Sequence, residues 1–86
     1  MLTMQDLTER EFVQSQSVAT AAYIALEQVL EVEYYNGLVY QFHDISAEIG
    51  ALIFEEREFD RVFRKEIAGK KTYTLKDRLL PVFGGI

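Results

Sequence analysis

The single histidine of this sequence, His43, is the first side chain that could take part in metal or proton chemistry. It directly precedes Asp44, and in a strand pairing of the surrounding segment Glu31 lies diagonally across from it. An imidazole with two carboxylates is a donor set that a divalent metal can use. A lone histidine on the solvent face of a strand is nevertheless far more often simply hydrated. We therefore predict no metal site.

Glu31 and Glu33 alternate along the sequence, which places both carboxylates on one solvent-facing side of a strand. General acid–base catalysis by a pair of carboxylates needs a cleft around them, and the sequence indicates none. The chain also lacks a nucleophile elbow, a phosphate-binding loop and metal-ligand spacing. We expect no catalytic residues and no catalytic activity.

A third group of chemistry-bearing residues is a cluster of bases towards the C-terminus. Residues 61–86 contain seven Lys and Arg and two acidic residues, whereas residues 1–60 contain two bases and twelve acidic residues. Such bases can contact phosphate groups, but the net charge of −10 on residues 1–60 would repel a polyanion. The commoner explanation is a small domain whose solvated faces differ in sign. The candidate anion or nucleic-acid patch consists of Arg61, Arg64, Lys65, Lys70, Lys71 and Tyr73.

The elements that would position these side chains centre on residues 29–45, which predict a β-hairpin. Two β-branched and aromatic runs flank Asn36-Gly37, the strongest short-range hairpin signal in a sequence. A two-residue loop would mix apolar and polar side chains on one face, whereas a three-residue loop over residues 35–37 makes one face wholly apolar. The predicted pairs are Tyr34 with Leu38, Val32 with Tyr40 and Leu30 with Phe42.

The segments around the hairpin predict one further strand and several helices. Residues 18–26 indicate a strand through their Val, Thr, Tyr and Ile, although their alanines also suit a helix. Ser46 can cap a helix that ends at Gly69, either as one long helix or as two with a joint near residues 55–58. Residues 3–14 predict a short N-terminal helix, and residues 75–80 predict one or two helical turns.

Together these elements predict the α+β fold class. The expected architecture is a three-stranded antiparallel meander followed by one long or two short helices packed on one face, with a short helix at the N-terminus. The apolar side chains of the hairpin and of the following helices would form the core. Its predicted members are Leu30, Val32, Tyr34, Tyr40, Phe42, Ile49, Leu52, Ile53 and Phe63.

Length and composition indicate one small domain over residues 1–86. The chain has no cysteine, which excludes disulfides and thiolate metal sites. No apolar run approaches the length of a membrane span, and the acidic N-terminus does not resemble a signal peptide. We therefore expect a soluble cytoplasmic protein with no cofactor and no membrane contact.

The hairpin and the segment after it resemble the KTSC domain family, from about Tyr23 to Tyr73. Tyr40-Gln41-Phe42 lies at the family's central Tyr-x-Tyr. Residues 63–67, Phe-Arg-Lys-Glu-Ile, lie where the family tends to have Phe-Asn-x-x-Ile. The resemblance implies a domain over these residues, an N-terminal extension over residues 1–16 and a tail over residues 74–86.

The sequence departs from the family pattern at three places. Phe42 replaces the second tyrosine, Ser46 lies near the usual proline, and residues 57–59 replace the family's Ser-x-Gly between helices. The last departure leaves open whether a helix breaks near residue 57. The family is a short module seen alone in bacterial proteins and at the C-terminus of some lysyl-tRNA synthetases. The resemblance implies a non-enzymatic module, for which RNA binding has been suggested.

The leading functional expectation is a non-enzymatic module that binds a protein partner or assembles as a homo-oligomer. A small acidic domain with many aromatic residues and an apolar tail tends to bury that surplus against a partner. An accessory domain that binds RNA or another nucleic acid through the basic patch is the alternative, but the predicted register turns Tyr40 and Phe42 inward, away from bases. A second alternative, motivated by size and charge alone, is a phage-type inhibitor of a host factor.

Overall fold

The computed structural model describes residues 9–78, in which short helical segments lie on one face of a five-stranded antiparallel sheet. The strands are β1 Glu11–Phe12, β2 Val18–Ile24, β3 Val29–Tyr34, β4 Leu38–Phe42 and β5 Tyr73–Arg78. Each strand pairs with the next one along the chain. The helices are α1 Ala47–Leu52 and α2 Phe59–Val62, and α2 continues directly into a π-helical segment, Phe63–Ile67.

The predicted register of the hairpin is confirmed. The structure pairs Leu30 with Phe42 and Val32 with Tyr40. Gly37 has a φ of 91° and donates its N–H to the Tyr34 carbonyl oxygen at 2.9 Å. Glycine suits this position because the left-handed region is strained for residues that carry a Cβ. The predicted strand over residues 18–26 is also confirmed, as β2.

The predicted N-terminal helix over residues 3–14 is wrong for the part that the structure describes, and residues 1–8 lie outside it. Glu11 pairs with Ala21 and Phe12 pairs with Thr20, so that β1 extends the sheet beyond β2. The free edge of β2 offers backbone hydrogen bonds that a short polar helix with few apolar contacts cannot match. Tertiary pairing therefore overrides the local helical signal.

The predicted three-stranded sheet is wrong on its other side too, because β5 extends it beyond β4. Tyr73 pairs with Phe42 and Leu75 pairs with Tyr40. Residues 75–78 are therefore extended and not helical, while residues 79 and 80 lie outside the described part. Apolar and polar residues alternate from Tyr73 to Lys76, which is the period of a strand, and the edge of β4 completes its hydrogen bonds.

The segment after the hairpin forms two helical stretches, so the alternative of one long helix is wrong. Ser46 accepts a hydrogen bond from the Ile49 N–H at 3.2 Å, which confirms the predicted cap. Arg57 has a φ of 65° and interrupts the helical path within the predicted joint at residues 55–58. Gly69 has a φ of 78° and lies just after the end of the second stretch.

The core lies between the helical segments and the face of the sheet that carries Leu30 and Val32. Five of the predicted core residues are buried: Leu30, Val32, Phe42, Ile53 and Phe63. Four are only half-buried and pack at the edge of the core: Tyr34, Tyr40, Ile49 and Leu52. Helices this short cannot cover the whole apolar face. No helix within residues 9–78 is long and apolar enough to cross a membrane.

Candidate binding cleft

A cleft of about 410 Å³ opens on the helical side of the sheet, between the hairpin, β5 and the loop after the π-helical segment. The rings of Tyr34, Tyr40 and Tyr73 line it, together with Asn36 and the Ala68-Gly69 loop. We call it the tyrosine cleft. It is the part of the apolar sheet face that the helices leave open to solvent.

The strand registers explain why the three tyrosines meet. Side chains alternate across a strand, so Tyr34 and Tyr40 share the face that also carries Val32. On β5, Tyr73 pairs with Phe42, which brings its ring to the same face beside Tyr40. Two neighbouring pairings thus assemble three rings from three strands.

The tyrosine rings hold one another in edge-to-face contact. The ring centroids of Tyr34 and Tyr40 lie 5.7 Å apart at an interplanar angle of 80°. Those of Tyr40 and Tyr73 lie 5.5 Å apart at 75°. Aromatic pairs favour this geometry, in which the positive edge of one ring meets the negative face of the next. Tyr73 is nevertheless 61% exposed, so the cleft is open to solvent.

The environment of Tyr34 in the cleft favours the neutral form of its phenol. Burial raises the pKa of Tyr34 above its ordinary value of 10.0, and the neighbouring phenols of Tyr40 and Tyr73 raise it further. Tyr23 lies outside the cleft and donates its hydroxyl to the Ile45 carbonyl oxygen at 2.6 Å. Within residues 9–78 the three cleft hydroxyls have no such protein partner.

A second pocket of about 260 Å³ adjoins the cleft and shares Tyr34 and Ala68 with it. Ser15 donates its hydroxyl to Asp60 Oδ1 at 2.6 Å, and Asp60 Oδ2 accepts the Gln16 N–H at 3.2 Å. These bonds attach the loop before β2 to α2.

The structure divides the predicted basic patch. Tyr73 lies in the cleft, and Arg64 lines the adjoining pocket. Lys70 and Lys71 follow the cleft residue Gly69 directly in the chain, and we call these two positions the lip of the cleft; neither of them lines the cleft itself. The exposed Lys65 lines neither space, and Arg61 donates to Glu58 at 2.6 Å.

The opposite face of the sheet differs from the solvated face that we predicted, because Glu31 is completely buried there. Its carboxylate accepts hydrogen bonds from Gln41 Nε2 and Lys76 Nζ, each at 2.9 Å, and also from Arg10 Nη1. Burial on its own would raise the pKa of Glu31, but the hydrogen bonds from Lys76, Gln41 and Arg10 outweigh it and lower the pKa below 4.5. This network connects β3 to residues on both sides of it in the sheet: Arg10 just before β1 on one side, and Gln41 of β4 and Lys76 of β5 on the other.

The imidazole ring of His43 contacts β5. Its Nε2 lies 3.1 Å from Thr74 Oγ1 on β5. Within residues 9–78 no group of three or more His, Cys, Asp or Glu side chains is placed to hold a metal ion.

The sequence analysis did not identify several residues of the Glu31 network and of the tyrosine cleft. It placed Tyr34 and Tyr40 in the core, it assigned no role to Arg10 or Lys76, and it used Asn36 only as a hairpin signal. Apolar and polar residues alternate up to Lys76, and this alternation could have predicted β5. The same alternation would have shown on which face of the sheet Lys76 lies. The burial of Glu31 had no comparable local signal.

Comparisons with known proteins agree with this architecture. The fold is similar to the crystal structure of a KTSC domain protein from Yersinia pestis, with a TM-score of 0.72 at 19% identity. That similarity covers 80% of this chain and 97% of the other. A search of curated proteins found no significant match. A family model of the KTSC domain matches residues 14–73, which is more than half of the chain, and the protein therefore belongs to the KTSC domain family.

Proposed function

We propose that this protein is a non-enzymatic binding module that holds a segment of a partner protein in the tyrosine cleft. The observation that carries the proposal is the open set of three tyrosine rings in a concave surface. Tyrosine is enriched at protein interfaces because it buries a large apolar area with few rotatable bonds and keeps a polar hydroxyl. A cytoplasmic location is part of the proposal and agrees with the absence of cysteine.

The chemistry of the cleft supports binding and not catalysis. Among the described residues that line it there is no carboxylate, imidazole or ammonium group. Those groups are the usual acids, bases and nucleophiles of enzymes. A tyrosine could act as a base only as its phenolate, and the raised pKa of Tyr34 disfavours that form.

The charge of the chain supports a protein partner over a polyanion. The net charge is −5 at neutral pH, and such a molecule repels nucleic acid at long range. A second copy of this chain is one such protein partner, because residues 1–60 are acidic while Lys70 and Lys71 lie at the lip of the cleft.

Binding of single-stranded nucleic acid is the second candidate, and one observation favours it. The predicted register suggested that Tyr40 turns into the core, yet its ring lines the open cleft together with Tyr73. Bases stack on exposed aromatic rings, and neighbouring lysines contact the phosphates. Lys70 and Lys71 would supply those contacts.

A peptide selection tests the leading proposal. Random peptides displayed on phage are selected against the wild-type protein, and the peptides obtained are titrated against two variants. Tyr73→Ala removes an exposed ring from the cleft, whereas Tyr35→Ala removes an exposed ring from the hairpin loop outside it. We expect affinity to fall for Tyr73→Ala alone. Equal affinity of both variants, or selection of no peptide together with salt-sensitive binding of an oligonucleotide, contradicts the proposal.

A further inference from the structure

We propose that the tyrosine cleft takes a proline-rich segment that carries carboxylates at one end. This inference rests on the proposed function, because it assumes a peptide ligand and names its chemical class. Three properties of the site lead to it: the arrangement of the rings, the kind of polar group that is free, and the sign of the charge at the lip.

The ring arrangement suits a ligand with flat, rigid side chains. Tyr40 lies between Tyr34 and Tyr73 and is nearly perpendicular to both, so the surface alternates between ring faces and ring edges. Pyrrolidine rings stack on such faces. A polyproline II helix repeats every three residues without internal hydrogen bonds and loses little conformational entropy on binding.

The free polar groups of the cleft can all donate hydrogen bonds. Asn36 Oδ1 already accepts the Leu38 N–H at 3.1 Å, so the Asn36 amide presents its NH₂ group. The hydroxyls of Tyr34, Tyr40 and Tyr73 have no protein partner within residues 9–78. Proline residues offer carbonyl acceptors and no N–H donor. A proline-rich backbone therefore matches a site that supplies donors.

The charge at the lip favours carboxylates on the ligand. Lys70 and Lys71 follow Gly69 of the cleft, and Arg64 lines the adjoining pocket. Within residues 9–78 none of these three bases forms a salt bridge. Complementary charge fixes the direction in which a peptide lies and speeds its association.

The test is a titration of the wild-type protein with a synthetic oligoproline peptide that ends in glutamates. Backbone and tyrosine-ring NMR signals report the site directly, without a mutation. We expect shifts at Tyr40, Tyr73 and Asn36. A peptide with lysines in place of the glutamates should bind roughly tenfold more weakly, and a glycine-serine peptide with the same glutamates should not bind.

Two variants locate the contacts. Tyr73→Ala should weaken binding of the oligoproline peptide roughly tenfold or more, as for an aromatic anchor. Tyr35→Ala should leave it unchanged, because Tyr35 lies in the hairpin loop and does not line the cleft. Equal effects of the two substitutions would overturn the inference, as would binding with no shift of the tyrosine-ring signals.

The failure of this inference can be distinguished from the failure of the proposed function. If oligoproline does not bind but proline-free peptides from the phage selection bind and require Tyr73, the inference is overturned and the proposed function remains. If no peptide binds and a single-stranded oligonucleotide shifts the same ring signals, both are overturned.

Discussion

Gly50 of α1 lies so close to the ring of Tyr23 that a Cβ at this position would be 2.6 Å from Tyr23 Cδ2. The Tyr23 hydroxyl in turn donates to the Ile45 carbonyl oxygen at the start of the helical region. The absence of a side chain at Gly50 therefore sets the distance between α1 and β2. This contact is the first place where a single methyl group should disturb the fold.

We predict that Gly50→Ala lowers the free energy of unfolding by about 1–3 kcal/mol, because overpacking forces the ring or the helix to move. Alanine normally stabilises a helix by about 1 kcal/mol relative to glycine. A loss of stability would therefore point to the contact with Tyr23. Urea unfolding measures it, and Glu48→Ala on an exposed position of α1 is the control. A double-mutant cycle with Tyr23→Ala should recover most of the loss, and additive effects would show that the clash is not the cause.

Removal of the buried charge of Glu31 should be strongly destabilising. Glu31→Gln removes the carboxylate that pairs with Arg10 and Lys76 on the sheet face opposite the helices, and it leaves Arg10 only the longer pairing with Glu33. We expect a loss of about 3 kcal/mol, the lower end for breaking a buried ion pair, because both bases are partly exposed and can be rehydrated. Chemical denaturation tests this prediction. The control is Glu48→Gln, which removes an exposed carboxylate from α1. Equal stability of the two variants would contradict a structural role for the network.

The same network predicts how stability depends on acid. Because the folded state lowers the pKa of Glu31 below 4.5, its contribution is complete above that value and is lost as the pH falls through the folded pKa. Urea midpoints of the wild type should therefore decline more steeply below pH 4.5 than those of Glu31→Gln. Parallel curves for the two proteins would show that other carboxylates govern acid unfolding.

At high pH ionisation of the Tyr34 phenol should contribute to the loss of stability. The folded state raises the pKa of Tyr34 above 10.0, so its contribution is complete below that value and is lost as the pH rises through the folded pKa. Tyr34→Phe should remove part of this alkaline loss. Thermal unfolding at a series of pH values, from neutral to above the ordinary pKa of tyrosine, measures this loss of stability. Tyr35→Phe, at an exposed position, is the control. If both variants follow the wild type, the phenol of Tyr34 is not coupled to folding.

The features that the sequence predicted correctly depend on residues close to one another along the chain. The hairpin register follows from the loop glycine at Gly37 and from the alternation that makes one face apolar. The cap at Ser46 depends on an amide three residues away. Local hydrogen bonds and side-chain alternation act over a few residues, so a single sequence is sufficient to predict them.

The two edge strands could not be predicted with the same certainty. β1 has only two residues, and it forms because β2 has a free edge beside it. β5 is joined to β4 through the whole helical region, so its partner is distant in sequence. Backbone pairing of this kind depends on which edge is available after the rest of the chain has folded.

The sequence by itself determined the family, the hairpin and part of the enclosed apolar core, because periodicity and turn chemistry are properties of short segments. Only the tertiary structure decided the surroundings of Glu31 and of the three cleft tyrosines. Glu31 is buried because bases from both flanks of the sheet reach its carboxylate. Tyr34, Tyr40 and Tyr73 form a cleft because the helices are too short to cover the whole sheet face. Burial and exposure are set by residues far apart in the chain, and for that reason the candidate site could not be read from the pattern of any one segment.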